Sequence, residues 1–180
     1  RNQNTLSEIN YDYVKENDIA VVRRLTGGGA VFHDLNNLNF TFILKDGGEW
    51  FSNFEKFTEP VISALSKFGV KAELSGRNDI LCDGRKISGN AQLKEKGRLM
   101  HHGTLLFNSD FKKLSMALTV KEEKIKAKGV KSVKSRVANI NEFSDVSIKE
   151  YKKEIFNGKE VFLSGREKEE INLLKENKYS

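Results

Sequence analysis

Three adjacent glycines, Gly27 to Gly29, constrain this chain more than any other feature of its sequence. They follow Arg23 and Arg24 and lead into a strand-like tail at residues 30–34. Because about 10 Å of backbone carries no Cβ atom there, main-chain N–H groups can approach an anion closely, and the arginines can add forked donors. The pattern favours a phosphate-binding site. The alternative is a glycine-rich turn between two strands.

The glycine run matches neither of two common nucleotide-binding motifs. A Walker loop ends in Gly-Lys-Ser/Thr and opens a helix, whereas residues 30–32 and 39–44 are strand-like. The dinucleotide fingerprint needs a third glycine where Phe32 stands, and it also needs a following helix. We therefore exclude a P-loop and do not expect a Rossmann site.

Length and composition predict a single domain over residues 1–180. A chain of 180 residues with 38% hydrophobic residues and one proline can bury one sizeable core. The single cysteine argues against a disulfide framework and fits a reducing cytoplasm. We expect no membrane span, since no apolar run approaches about 18 residues. The net charge of +6 favours anionic partners, but the basic segment at 112–136 offers no stacking platform for nucleic acid, and we expect none to bind.

The order of predicted elements indicates an α+β fold with a mixed, mostly antiparallel sheet flanked by helices. Apolar residues from Phe54 to Phe68 recur at spacings of three and four, which predicts an amphipathic helix that ends at Gly69. Pro60 predicts either a kink in it or a start just before that residue. Asp83-Gly84 is a preferred pair for a tight hairpin turn, and Lys96-Gly97 turns the chain again.

The other predicted elements follow from local periodicity and turn residues. Residues 141–180 form a polar, helical tail. The remaining elements are strands at 19–22, 39–44, 80–82, 85–92 and 99–107, and helices from Ser109 or Asp110 to Leu118, from Ser147 to Phe156 and from Glu167 to Lys178.

A polar face on the strand after Asp83-Gly84 is a candidate binding site. Period-two alternation predicts that one face carries Lys86, Ser88, Asn90 and Gln92. An ammonium group on a strand there could be held rigidly against a carboxylate or phosphate. The alternative is an ordinary exposed strand lysine.

Other candidate groups are less specific. His101 and His102 are adjacent on a predicted strand, so they point to opposite faces and cannot bind one metal ion together. Asn78 and Asp79 could bind a sugar or help to place Mg²⁺, or they could simply form a turn. Cys82 alternates with apolar residues and is expected to be buried.

Four sequence blocks stand out along the chain: RRLTGGGAVFHDLNNLNFTF, SGRNDILCDGRKISGNAQ, HHGTLLFNSD and KGVKSVKSRVANI. Together they resemble the lipoate-protein ligases, in order and with similar spacing. The similarity covers nearly the whole chain. It implies the fold of the biotin/lipoate ligase catalytic domain, which is related to class II aminoacyl-tRNA synthetases. It also implies that ATP and Mg²⁺ activate lipoate as lipoyl-AMP, and that the acyl group passes to a lysine of a lipoyl carrier domain.

The resemblance also implies roles for individual residues. Lys86 matches the catalytic lysine between the lipoyl carboxylate and the α-phosphate. Arg24 and Thr26 would lie beside the acyl-adenylate, His102 would form part of the pocket wall, and Asp79 is the candidate ligand for Mg²⁺. Residues 128–140 match a loop that folds over the adenylate. The other expected ligand-binding residues are Gly28, Gly29, Ala30, Val31, Phe32, His33, Asn78, Ser88, Lys128 and Arg136.

Two other functions stay open at the level of sequence. One is an octanoyl or lipoyl transferase that works through a cysteine thioester, for which Cys82 is the only thiol. The other is a non-catalytic remnant that only binds ligand or carrier protein. The partners implied for a ligase are lipoyl domains of 2-oxoacid dehydrogenase acyltransferase subunits or the glycine-cleavage H protein. The resemblance also implies strands before Arg1 and a small accessory domain after a point close to Ser180. We expect both to lie outside these 180 residues, with the accessory domain on a separate accessory chain as one alternative.

Overall fold

A computed structural model of the chain describes residues 4–45, 48–76, 78–119, 136–156 and residue 169. The described part contains five strands and four α-helices, with short 3₁₀ turns at Thr5–Ser7 and Ile140–Glu142. The strands are β1 Asn37–Lys45, β2 Ala72–Ser75, β3 Asp79–Cys82, β4 Arg85–Glu95 and β5 Arg98–Leu106. The helices are α1 Tyr11–Glu16, α2 Phe54–Ser66, α3 Phe111–Ala117 and α4 Ile148–Ile155.

The five strands form one antiparallel sheet in the order β1-β5-β4-β3-β2. Two tight turns create its centre, as the sequence predicted. Asp83 and Gly84 join β3 to β4, and Lys96 and Gly97 join β4 to β5, and all four residues have positive φ. Two consecutive residues with positive φ form the type of two-residue turn whose twist suits a hairpin. The α+β fold class with helices beside a mostly antiparallel sheet is confirmed.

Helix α2 covers one face of the sheet and supplies much of the core. Phe57, Val61 and Leu65 lie on its buried side, and Tyr151 of α4 donates a hydrogen bond from its hydroxyl to the carbonyl oxygen of Val61 at 3.1 Å. Pro60 lies inside this helix, which already begins at Phe54. The alternative that α2 starts just before Pro60 is therefore wrong.

The first 36 residues differ most from the elements predicted. Helix α1 was not predicted; it packs beside α3 around a small cluster formed by Val14, Phe32 and Ala117. The predicted strand at 19–22 is not a strand in the structure; Val22 is 74% exposed there. The β-branched residues in this run favour an extended backbone locally, but a strand also needs a neighbouring strand to accept and donate its hydrogen bonds.

The predicted α3 and α4 regions agree with the structure, with Asp110 and Ser147 as their N-caps. Of the predicted polar tail at 141–180, the structure describes 141–156 and residue 169, and the predicted helix from Glu167 to Lys178 lies outside the described residues apart from residue 169. Among the described residues, none of the helices has the length and apolarity that crossing a membrane would require.

Candidate active site

A β-bulge decides which face of β4 carries Lys86. Ile80 pairs with Ser88, but Leu81 pairs with Lys86, so Ile87 is an extra residue in β4. Directly paired residues of antiparallel strands point to the same face. Ser88 therefore lies with Ile80 on the core side and is only 1% exposed, while Lys86 points to the opposite face.

The predicted common face for Lys86, Ser88, Asn90 and Gln92 is therefore wrong for Lys86. Simple alternation cannot anticipate an inserted residue. Ser88, Asn90 and Gln92 lie on the core face of β4. Nε2 of Gln92 lies 3.1 Å from Nδ1 of the buried His101. Ser88, expected to bind ligand, is thus not brought together with Lys86.

Lys86 forms an ion pair with Asp79 on the face away from α2. Its Nζ lies 2.7 Å from Oδ1 of Asp79, and each side chain is about one-third exposed. Asp79 in turn stands opposite Gly89 in the sheet. The ammonium group is thus positioned over β4 and remains open to solvent.

The backbone of Lys86 is fixed from a second side. Its N–H donates to the carbonyl oxygen of Arg136 at 2.9 Å, and its carbonyl oxygen accepts from the N–H of Ala138 at 3.0 Å. Arg85 next to it forms a salt bridge with Glu142, 2.7 Å between Nη1 and Oε2. Arg136 is therefore brought to Lys86 through its main chain. Lys128 lies outside the described residues.

Asn78 forms a reciprocal contact with Asn90. Its Nδ2 donates to the carbonyl oxygen of Asn90 at 2.7 Å, and the N–H and Nδ2 of Asn90 donate to the carbonyl oxygen of Asn78 at 2.9 and 3.0 Å. These bonds hold the residue before β3 against β4. Asn78, expected to bind ligand, uses its amide to fix the backbone next to Asp79.

The side chain of Arg24 fixes the conformation of the glycine run through hydrogen bonds to the carbonyl oxygens of that run. Its Nη2 donates to the carbonyl oxygens of Gly27 and Gly29 at 2.9 and 2.8 Å. A Cβ on Gly28 would lie 2.5 Å from that nitrogen, and Gly28 has a φ of 111°. Since the C=O and N–H of a trans peptide point in opposite directions, the Gly28 N–H points away from the guanidinium group.

Glu8 is a further residue at this loop, and the sequence reasoning missed it. The N–H of Ala30, expected to bind ligand, donates to Oε2 of Glu8 at 3.2 Å. Glu8 is buried. A lone glutamate some twenty residues before the glycines carries no sequence signal that would single it out.

Thr26 connects the glycine loop to the sheet. Its Oγ1 lies 2.7 Å from Nε2 of His102 on β5, and Thr26 is 1% exposed. His102 pairs with Ala91, and Gly89 pairs with Thr104, so His102 and Gly89 share a face of the sheet. They are diagonal neighbours across β4 and β5, a spacing of about 7–8 Å. The glycine loop and Lys86 consequently lie on the same face.

Burial and the charge of Arg24 lower the pKa of both histidines near this guanidinium, His33 and His102. For His33, burial lowers the pKa most, Arg24 lowers it further, and Asp34 opposes the shift. For His102, burial again lowers the pKa most, followed by Arg24 and His33. Burial also lowers the pKa of the Arg24 guanidinium, a group that stays charged in proteins. The cluster therefore offers one fixed cation and two imidazoles whose surroundings favour the neutral form.

Two further predicted site residues, Val31 and Phe32, differ in their burial. Phe32 is buried against Val14, whereas Val31 is exposed. Cys82 is 3% exposed, and burial, followed by the Asp83 charge, raises the pKa of its thiol. No group of three or more His, Cys, Asp or Glu side chains among the described residues is arranged to hold a metal ion.

Known proteins resemble this chain in both sequence and fold. The profile of the lipoyl protein ligase A/B catalytic domain matches residues 1–159. The chain belongs to the lipoyl protein ligase A/B catalytic domain family. Lipoate-protein ligase LplJ of Bacillus subtilis is 66% identical over 145 residues, which cover 81% of this chain and 44% of that protein. This family member thus spans about half the length of that relative.

Two solved structures of lipoate-protein ligases resemble this family member. One is the bi-partite lipoate protein ligase studied with its E2 lipoyl domain from Thermoplasma acidophilum, with a TM-score of 0.83, 33% identity, and coverage of 97% of this chain and 73% of that one. The other is lipoate-protein ligase A bound with ATP, with a TM-score of 0.80, 31% identity, and coverage of 97% and 74%. Both likenesses extend over almost all of this chain.

Proposed function

We propose that this chain supplies the adenylating centre of an ATP-dependent lipoate-protein ligase. The observation that carries the proposal is the common face of the sheet on which Lys86 and the glycine loop meet. The neighbouring ligase structure with ATP and the high identity to the Bacillus subtilis ligase support the same function.

The first reaction joins two anions, so it requires fixed positive charge and N–H donors. A carboxylate oxygen of lipoate bonds to the α-phosphorus of ATP, the bond to the bridging oxygen breaks, and pyrophosphate leaves. Lys86 would hold the lipoyl carboxylate and α-phosphate oxygens together, because its ammonium group is partly exposed on the site face, where it is paired with Asp79. The Gly28 amide and the neutral imidazoles of His33 and His102 would contact the other polar atoms of the adenylate.

The second reaction transfers the acyl group. The neutral amine of a carrier lysine attacks the acyl carbon of lipoyl-AMP, an amide bond forms, a proton leaves the nitrogen, and AMP departs. No enzyme nucleophile is needed, and this agrees with the burial of Cys82. The cysteine-thioester alternative needs an accessible, activated thiol, so Cys82 argues against it.

The proposal includes a Mg²⁺ ion, with Asp79 as one of its protein ligands. Magnesium commonly binds nucleotides through one or two carboxylates together with phosphate oxygens, and the Asp79 carboxylate on the site face fits that pattern as one protein ligand. When bound, the ion would neutralise charge on the departing pyrophosphate. Asp79 would have to share its carboxylate between this ion and Lys86.

A lipoyl carrier domain is the proposed protein partner. The Thermoplasma acidophilum ligase was studied with its E2 lipoyl domain, and that ligase is described as bi-partite, which supports an accessory unit for this family member too. The finer choice between acyltransferase subunits and glycine-cleavage H protein, and the cytoplasmic location, stay predictions.

Formation of lipoyl-AMP tests the proposed function. The chain is incubated with ATP, Mg²⁺ and lipoate, and lipoyl-AMP and pyrophosphate are quantified by mass spectrometry and a coupled assay. We expect product from the unmodified chain and from Lys152→Ala, an exposed lysine on α4, and at least a hundredfold less from Lys86→Ala. Equal rates for the two lysine variants would contradict the proposal.

A further inference from the structure

Gly89 occupies a strand position at which the backbone does not require glycine. Its φ lies outside the positive region, unlike that of Gly84 or Gly97 at the hairpin turns. Glycine in a strand interior weakens the strand and often marks a place where another group approaches closely. The reason for glycine at position 89 therefore lies in what surrounds it.

The group that approaches Gly89 is the end of the Lys86 side chain. A Cβ built on Gly89 would lie 2.9 Å from Nζ and 3.0 Å from Cε of Lys86, and 3.9 Å from Oδ1 of Asp79. Real Cβ atoms essentially never come as close as 2.9 Å to another heavy atom, so the end of the Lys86 side chain would have to move. The lysine thus passes through the space that any other residue at position 89 would fill.

The bulge at Ile87 makes this approach possible. Residues three apart in a regular strand point to opposite faces, but the extra residue returns Lys86 and Gly89 to the same face. Lys86 can then extend along its own strand to Gly89, which stands directly opposite Asp79. The bulge, the missing Cβ and the carboxylate together determine where the ammonium group lies.

Gly103 provides a useful contrast on the neighbouring strand. A Cβ there would lie 2.2 Å from Oδ1 of Asn90 and 2.5 Å from a ring atom of Phe40, and Gly103 is buried. Gly103 is needed for packing in the core. At Gly89 the three nearest atoms among the described residues are Nζ and Cε of Lys86 and, further away, Oδ1 of Asp79. A methyl group there would first displace the flexible end of the lysine and not the packed core.

We propose that Gly89 is a positioning residue for Lys86: it leaves open the path by which the lysine crosses β4 to Asp79, and so fixes the ammonium group on the face that carries the glycine loop. The link from this position to catalysis rests on the proposed function. The placement of the ammonium group does not, and can be measured without any substrate.

The substrate-free test follows the ammonium protons of Lys86 by ¹H–¹⁵N NMR, with the signal assigned through its loss in Lys86→Arg. Protons of an ammonium group held by a carboxylate exchange slowly with water, so we expect Gly89→Ala and Asp79→Asn each to accelerate exchange several-fold. Ala91→Ser is the matched control for this readout, since it also adds one atom on the same face of β4. Unchanged exchange in Gly89→Ala, with its unfolding temperature preserved, would overturn the proposal.

The catalytic part is tested by a double-mutant cycle on the rate of lipoyl-AMP formation. We expect Gly89→Ala to lower kcat at least tenfold in the unmodified background and to have no further effect in Lys86→Ala. Equal fold-losses in both backgrounds would contradict action through Lys86.

If the unmodified chain forms no lipoyl-AMP while Gly89→Ala still alters ammonium exchange, the proposed function fails and the positioning role of Gly89 stands. If Gly89→Ala does not fold, the second variant is Gly89→Ala in the Lys86→Ala background. It should fold, because the atoms nearest to the added methyl group are those of Lys86, and its failure to fold as well would overturn the proposal.

Discussion

The hydroxyl of Thr26 lies 2.7 Å from Nε2 of His102 and joins the glycine loop to the central strands of the sheet. Thr26 is almost completely buried. Without this contact, the glycine loop would lose a direct polar connection to the strand bearing His102. The hydrogen bond therefore holds the glycine loop against the face of the sheet that carries His102. Lys86 lies on the same face, on the neighbouring strand β4.

Thr26→Val should loosen the loop. Valine keeps the volume but leaves Nε2 of His102 without its partner, and the loss of one partner at a buried site costs about 1–2 kcal/mol. We expect a lower free energy of unfolding and at least fivefold weaker binding of a non-hydrolysable lipoyl-adenylate mimic, measured by calorimetry. Thr26→Ser retains the hydroxyl and should bind as the unmodified chain does. If valine and serine behave alike, the Thr26 to His102 bond does not organise the site.

Arg24→Lys should weaken adenylate binding although it keeps the charge. The guanidinium group holds the carbonyl oxygens of Gly27 and Gly29 together, and an ammonium group cannot reproduce this forked geometry. We expect about tenfold weaker binding of the same mimic. Arg23→Lys, at an exposed position, serves as the matched control. A similar effect in both variants would indicate that charge alone matters.

The histidine on the opposite face, His101, should make the fold sensitive to mild acid. Burial, with a smaller effect from His102, lowers the pKa of His101 from its usual value of 6.5 to about 4. Between these two values the unfolded chain takes up a proton that the folded chain excludes, so stability is complete above about pH 6.5 and falls as the pH decreases toward 4.

This effect amounts to at most about 3 kcal/mol. It is measured by urea unfolding across that pH range, comparing the unmodified chain with His101→Phe. Phenylalanine suits the aromatic surroundings, since His101 stacks on Phe57 at 4.7 Å between ring centroids. We expect a flatter pH dependence in the variant. An identical slope in both proteins would mean that other groups cause the acid sensitivity.

Cys82→Ala should leave lipoyl-AMP formation within twofold of the unmodified rate. The thiol is buried and the pKa of the group is raised by that burial, so its contribution is to packing, and its loss should cost about 1 kcal/mol of stability. Complete loss of acyl transfer with normal folding would instead favour the thioester alternative.

The parts of the structure that could be predicted are those that a few neighbouring residues in the sequence determine. Asp83-Gly84 and Lys96-Gly97 predicted hairpin turns because few residue pairs tolerate positive φ at both positions. Ser147 and Glu150 form a capping box at the start of α4, and a predicted helix there agreed with the structure within one residue at each end. Such features need no knowledge of distant contacts.

The site was predictable only in part, because its geometry depends on the register of the strands. The Ile87 bulge could not be read from alternation, and it separated Ser88 from Lys86. Glu8 reaches Ala30 from a distant part of the chain, a contact that periodicity cannot indicate. Arg24 was expected beside the ligand, and the structure adds that its donors are engaged with the loop carbonyls. Lys128, which was expected to bind the ligand, lies outside the described residues.

A crystal structure of the chain with a non-hydrolysable lipoyl-adenylate mimic would test the central claim most directly. We expect Nζ of Lys86 to lie within hydrogen-bonding distance of both the acyl oxygen and an α-phosphate oxygen of the mimic, with the glycine loop on the other side of the phosphate. A mimic bound away from this face, with Lys86 contacting only Asp79, would contradict the account.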